Sequence, residues 1–182
     1  DVHAEVFKLL TDSLKTSKVT EVDVSSCGIG PVALGHLSDW VRDATGAVEA
    51  VAIGGNPITS AGGATLLETI KTSKLKTIDI GKPLPLQEPY ESDTLDLSKT
   101  GMDPGHIVIL SWWLATDAAG ALTSVVLDEN ELTATKIKYK GESYEQIEQI
   151  DADLSGFTEF CSSLKSSTIV SLSLRKCYLG PQ

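Results

Sequence analysis

Gly28, Gly30 and Ala33 stand in the spacing Gly-x-Gly-x-x-Ala, after an apolar strand-like run and before a helical one. That context is the one a dinucleotide-binding turn requires. The glycines allow a tight bend and close approach of a pyrophosphate, and the helix start supplies backbone N–H donors. The chain carries its own control. Cys177-Tyr178-Leu179-Gly180-Pro181 copies Cys27-Gly28-Ile29-Gly30-Pro31 in register, with Tyr178 where Gly28 stands. A glycine needed for a phosphate turn is not the one that varies. The acidic residue expected at the end of the second strand is also missing, since Glu49 lies at its start. The Gly-Pro pair therefore reads as a turn that opens a helix. Nucleotide-dependent enzymology is the remotest reading, and no cofactor is expected.

The other reactive side chains converge on nothing. His3, His36 and His106 have no Cys or carboxylate at metal-ligand spacing. Ser38 and Asp39 beside His36 are consecutive surface positions of one helix, not a triad. Cys27 and Cys177 fill the same slot of a recurring pattern and read as buried structural thiols, and Cys161 falls on the apolar side of its helix. No catalytic residue, metal ligand or enzyme activity is expected.

The formal charge is -10, from 25 acidic and 15 basic residues, and the basic ones are scattered. Phosphate backbones demand clustered Lys and Arg, so nucleic acid is not the expected partner. No run approaches the ~18 apolar residues of a membrane-spanning helix, so no membrane partner is expected. Three cysteines make a poor disulfide framework. Asn56 precedes Pro57, and Asn130 precedes Glu131-Leu132, so no glycosylation sequon exists. These features lean towards a reducing, cytoplasmic compartment. No leader is visible, although a chain that starts at Asp1 is compatible with one having been removed.

What must position any site is a repeat. The pattern apolar-x-x-apolar-x-apolar, two small or polar residues, then Cys or Asn, one residue and an apolar one, recurs as VTEVDVSSCGI, VEAVAIGGNPI, LTSVVLDENEL and IVSLSLRKCYL. SDTLDLSKTGM is a weaker copy, with Thr100 in the Cys/Asn slot, and LKTIDI is a sixth strand without the tail. Alternation predicts short strands with Val22, Val51, Ile78, Leu95, Val125 and Leu172 inward. The Asn or Cys is expected to turn inward and satisfy backbone groups in the bend. Helices are predicted between the strands. One covers Pro31 to Ala44, with Val32, Leu34, Leu37, Trp40 and Val41 inward. Another covers Ala61 to Thr72, capped by Ser60, and a third starts at Asp103-Pro104, with Ile107, Leu110, Trp113 and Leu114 inward. A fourth opens at Asp153 or Ser155, and His3 to Thr16 forms a leading one.

The strand centres are 29, 27, 17, 30 and 47 residues apart. Seventeen is too short for a helix, and residues 82–91 hold three prolines, so this unit is expected to carry an irregular loop. Forty-seven leaves an insertion over 134–152, whose alternation about Gly141 predicts a hairpin from Lys136 to Ile150.

VTEVDVSSCGIGP, VEAVAIGGNPITSAGGATLLETI, LTSVVLDENEL and IVSLSLRKCYLGP resemble the ribonuclease-inhibitor-like leucine-rich repeats over nearly the whole chain. The resemblance implies a single α/β domain over 1–182 of about six strand units. Its form is a right-handed solenoid, a horseshoe segment with a parallel sheet on the concave face and helices on the convex face. It also implies protein binding, since members generally bind proteins, some regulating small GTPases or capping actin filaments. The concave face is then the expected binding surface. Glu21, Asp23, Ser25, Glu49, Asp79, Asp96, Lys99, Val126, Asp128, Ser173 and Arg175 are its candidate contact residues. Asp79 and Asp96 are expected side by side if their strands pair directly.

The leading expectation is thus a protein-interaction module using the concave sheet, with the insertion as an added recognition element and a partner not identified by the sequence. The alternative is a structural spacer in a longer solenoid. Leu172, Leu174 and Leu179 would then line an open C-terminal end through which copies self-associate.

Overall fold

Three-residue apolar-centred strands alternate with helices along most of the chain. The computed structural model describes residues 4–44, 48–139 and 145–180. The helices are α1 (Ala4–Leu14), α2 (Pro31–Asp43), α3 (Thr59–Thr72), α4 (Pro104–Trp113) and α5 (Ser155–Leu164). The strands are β1 (Glu21–Asp23), β2 (Ala50–Ala52), β3 (Thr77–Asp79), β4 (Pro83–Pro85), β5 (Thr94–Asp96), β6 (Ser124–Val126), β7 (Lys136–Tyr139), β8 (Glu145–Gln149) and β9 (Ser171–Ser173).

The leucine-rich-repeat solenoid with one continuous parallel sheet is not what the chain forms. It is an α/β protein of five α-helices with two small sheets and a two-stranded β7–β8 hairpin among the described residues. The first has the order β1-β2-β3-β4 and is mixed, because β4 runs antiparallel to β3. The second, β5-β6-β9, is wholly parallel.

The break has a chemical cause in the loop expected over 82–91. Leu86 N donates to Lys76 O at 2.8 Å and Ile80 N to Lys82 O at 3.3 Å. Residues 82, 84 and 86 therefore face β3, and the backbones of Pro83 and Pro85 face outward. Proline has no N–H, so this edge offers no donor at either position. The Pro85 carbonyl is already taken by the Trp113 indole N–H at 2.7 Å. A further strand has little to pair with, and β5 begins a new sheet. Asp79 consequently lies opposite Pro83, not beside Asp96.

The core lies between strands and helices. Val51, Ile78, Leu95 and Val125 are buried at strand centres, with Val24, Ile53, Ile80, Leu97 and Leu127 just beyond the strands. They share one apolar cluster with Leu34, Leu37 and Trp40 of α2, Leu66 and Ile70 of α3, and Ile107, Leu110 and Trp113 of α4. The helices touch in chain order, α1 to α5. Helix α4, held between α3 and α5, is buried nearly all round. Val22 and Leu172 were expected inward but remain partly exposed, because β1 and β9 are sheet edges.

Two buried asparagines tie successive turns together. Asn56 Nδ2 donates to Val24 O at 2.9 Å and Ile53 O at 2.8 Å, while its Oδ1 accepts from Ile29 N at 3.1 Å. Asn130 repeats the arrangement on Leu97 O, Leu127 O and Met102 N. Cys177 fills the same slot, with Sγ donating to Leu127 O at 3.1 Å. Cys27 does not match its expected burial. It is exposed, since no described strand lies outside β1 to offer the equivalent carbonyl. Cys161, also expected in the core, is exposed on α5.

Other local expectations shift by smaller amounts. Helix α3 begins at Thr59 without a side-chain cap, and the Ser60 hydroxyl instead donates to Asp153. Val32 is exposed rather than inward. Ser38 is buried rather than on the surface, its hydroxyl bonded to Leu34 O at 2.9 Å. Within the insertion, β7 pairs antiparallel with β8, while Gly141 and the tip lie outside the described residues. The base of this hairpin is fastened to the last turn. Thr135 Oγ1 donates to Tyr178 O at 3.1 Å, and Asp151 Oδ2 accepts from Gly180 N at 3.0 Å.

Candidate functional site

Because strand side chains alternate, burying Val51 and Ile78 turns Ala50, Ala52, Thr77 and Asp79 to the opposite face of the first sheet. Glu21 and Asp23 stand exposed beside them on β1. The strand register sets Asp23, Ala52, Asp79 and Pro83 in one row, and Glu21, Ala50, Thr77 and Pro85 in the next. Small alanines on the middle strand between longer side chains leave a trough. Its cavity is about 350 Å³, with Glu21 and Asp23 on one side and Asp79 and Pro83 on the other. The candidates Glu21, Asp23 and Asp79 meet here. Ala50, Ala52 and Pro83 were not among the candidates, although the alternation in VEAVAI already turns both alanines outward.

Asp96, Val126 and Ser173 form the corresponding row of the second sheet. The two rows belong to separate sheets, so the expected single column is divided.

Several candidates are committed within the chain. Glu49 pairs with Lys76 at 2.8 Å, and Glu129 lies 3.5 Å from both Lys99 and Lys176. Asp128 Oδ1 accepts from the Ser173 hydroxyl at 2.6 Å and from Arg175 N at 2.8 Å. The Ser173 hydroxyl and the Arg175 amide hold its carboxyl below the usual carboxylate range.

The strand-ending aspartates share a local task. Asp23 Oδ1 accepts from Ser25 N at 2.9 Å, Asp79 Oδ1 from Gly81 N at 2.7 Å and Asp96 Oδ1 from Ser98 N at 2.9 Å. Each bond closes a turn over the next two residues, just past the end of the strand. The Ser25 amide lowers the Asp23 pKa, and the Ser98 hydroxyl and amide lower that of Asp96. A carboxylate whose folded pKa is depressed stabilises fully above its unfolded value, here 3.8, and loses that contribution as pH falls through the folded value. Asp96→Asn keeps the turn acceptor and removes the titration. Urea unfolding between pH 3 and 6 is expected to show a shallower acid loss of stability for this variant, which is less stable than wild type near pH 6 and approaches it at pH 3.

His106 was expected to have no carboxylate at ligand spacing, yet it lies against one. It is fully buried, with Nδ1 2.8 Å from Asp103 Oδ1 and Nε2 3.2 Å from Ile53 O. Asp103 caps α4 by accepting from Gly105 N and His106 N, and its Oδ2 accepts from Thr59 N at 2.7 Å. The pair forms a reciprocal helix cap, for which Asp-Pro-x-His was the available sequence signal. His36 is part-buried on α2, and His3 lies outside the described residues. Gly28 has φ +67° with open space around it, and Tyr178 adopts φ 53° in the matching turn. The shared conformation is therefore that of a turn which a tyrosine also adopts.

Among the described residues, no three His, Cys, Asp or Glu side chains are grouped to hold a metal, and no helix is long and apolar enough to cross a membrane. In comparisons with known proteins, no family model matches the chain and no curated protein matches it significantly.

Proposed function

We propose that the chain is a non-catalytic protein-binding module that receives its partner on the exposed face of the β1–β4 sheet. The supporting observation is the trough itself. The apolar side of the sheet is consumed by the core, while the other side is uncovered and floored by Ala50 and Ala52. Small floor residues between taller flanks let a partner's side chains reach the sheet. A specific interface needs roughly 800 Å² from each partner.

Ala52→Trp fills the floor from the solvent side without entering the core. Protein captured by the wild-type chain from its native source is expected to be lost with this variant, while its thermal unfolding is unchanged. Undiminished capture would remove the β1–β4 face from the reading.

A further inference from the structure

We infer that the trough over β2 takes a lysine- or arginine-bearing segment of a protein partner, the cation seated over Ala52 between Asp23 and Asp79. This rests on the β1–β4 face being the docking face, and adds the chemistry of what docks there.

The argument is one of uncompensated charge. Glu49, Glu129 and Asp128, on the flanks of the two sheets, have a cation or several donors within the chain. Glu21, Asp23 and Asp79 have no ion pair among the described residues. Asp23 and Asp79 each spend Oδ1 on a turn amide, which anchors the side chain at the strand end. The Ser25 hydroxyl is a second donor to the Asp23 carboxylate, and neither aspartate has a cation from a described residue at ion-pair distance. The register sets these two carboxylates on either side of Ala52. With strands about 4.8 Å apart, the backbones bearing them are roughly 10 Å from each other. A single cation over Ala52 therefore has one carboxylate on each side.

Shape and charge agree. The methyls of Ala50 and Ala52 offer an apolar floor to a lysine or arginine stem, whose charged head stays at the wet rim. Pro83 closes the row beyond Asp79. The overall charge of -10 favours the approach of a basic segment and opposes an acidic one.

The test is an amide chemical-shift titration of the full chain with an acetylated (Gly-Arg)4 peptide, using (Gly-Glu)4 as control. Shifts are expected at Ala50, Val51, Ala52 and Asp79 with the arginine peptide alone, and they should fade in about 0.5 M salt as exposed charges are screened. Asp23→Asn with Asp79→Asn retains both turn acceptors but not the charges, and should weaken binding about ten-fold. Glu68→Gln, on the exposed side of α3, should bind as wild type. Equal binding by the double asparagine variant overturns the inference. So do shifts caused by calcium chloride in place of peptide, or by protein concentration alone. Loss of partner capture by Ala52→Trp together with full capture by the asparagine variant would retain the docking face and reject its cationic occupant.

Discussion

Gly105→Ala is expected to destabilise the fold by about 3 kcal/mol or more, the upper end of overpacking costs. In a chain of this length that corresponds to a fall of about 10 °C in melting temperature. A methyl on Gly105 would overlap the Thr59 carbonyl oxygen and lie 2.6 Å from Ile58 Cγ1. The obstacle is backbone and cannot rotate away. Nor can it shift easily, because the Thr59 amide is bound to Asp103 at 2.7 Å and Thr59 already holds φ at 61°. On its other side, Gly105 contacts α3 at Gly63, where an added methyl would overlap the Gly105 carbonyl. The first turns of α3 and α4 thus meet through glycines because nothing larger fits. Gly35 in α2 provides the contrast, since a methyl there meets nothing within 4 Å. Gly35→Ala should raise stability by about 0.5–1 kcal/mol through helix propensity. Differential scanning calorimetry of both variants checks the pair of signs, and equal effects would contradict the packing argument.

Asn130→Ala is expected to cost roughly 3–5 kcal/mol, because it strands several buried backbone groups at once. The side chain serves Leu97 O at 2.8 Å, Leu127 O at 2.9 Å and Met102 N at 3.0 Å from a position only 3% exposed. Alanine satisfies none of them and leaves a space lined by polar atoms. Asn130→Asp retains the acceptor for Met102 N but sets a carboxylate oxygen against two carbonyls, so it should rescue nothing. Asn130→Cys should recover part of the loss, since Cys177 serves the Leu127 carbonyl from the same slot one unit later. Denaturant unfolding of the three variants should rank Cys above Ala and Asp. A cysteine variant no better than alanine would show that the slot demands the two-donor amide.

The repeated local pattern was enough to read the helices and most strands, but not β4, which formed where a loop was expected. Alternation placed Val51, Ile78, Leu95 and Val125 inside, and Asp103-Pro104 marked the start of α4. The Asn slot could be read because its partners lie at fixed short offsets or one repeat away. The helix α4 cap was only half legible: Asp-Pro announced it, but burial of His106 against Asp103 depends on the Ile53 carbonyl, 53 residues distant.

By itself, the sequence determined the strands other than β4, the helices between them, the inward residues of the inner strands, and the excess of acid outside. These follow from period and composition, which are local. Only the tertiary structure decided where the sheet stops, because that required knowing which edge of β4 its prolines present and that Trp113 takes the Pro85 carbonyl. It also separated Cys27 from Cys177, identical in local pattern, because among the described residues a carbonyl from a preceding turn reaches Cys177 and not Cys27. For the candidate site, the sequence supplied the carboxylates. Register across β1, β2 and β3 supplied the alanine floor between them, left Glu21, Asp23 and Asp79 without a cation among the described residues, and sent Asp96 to a different sheet.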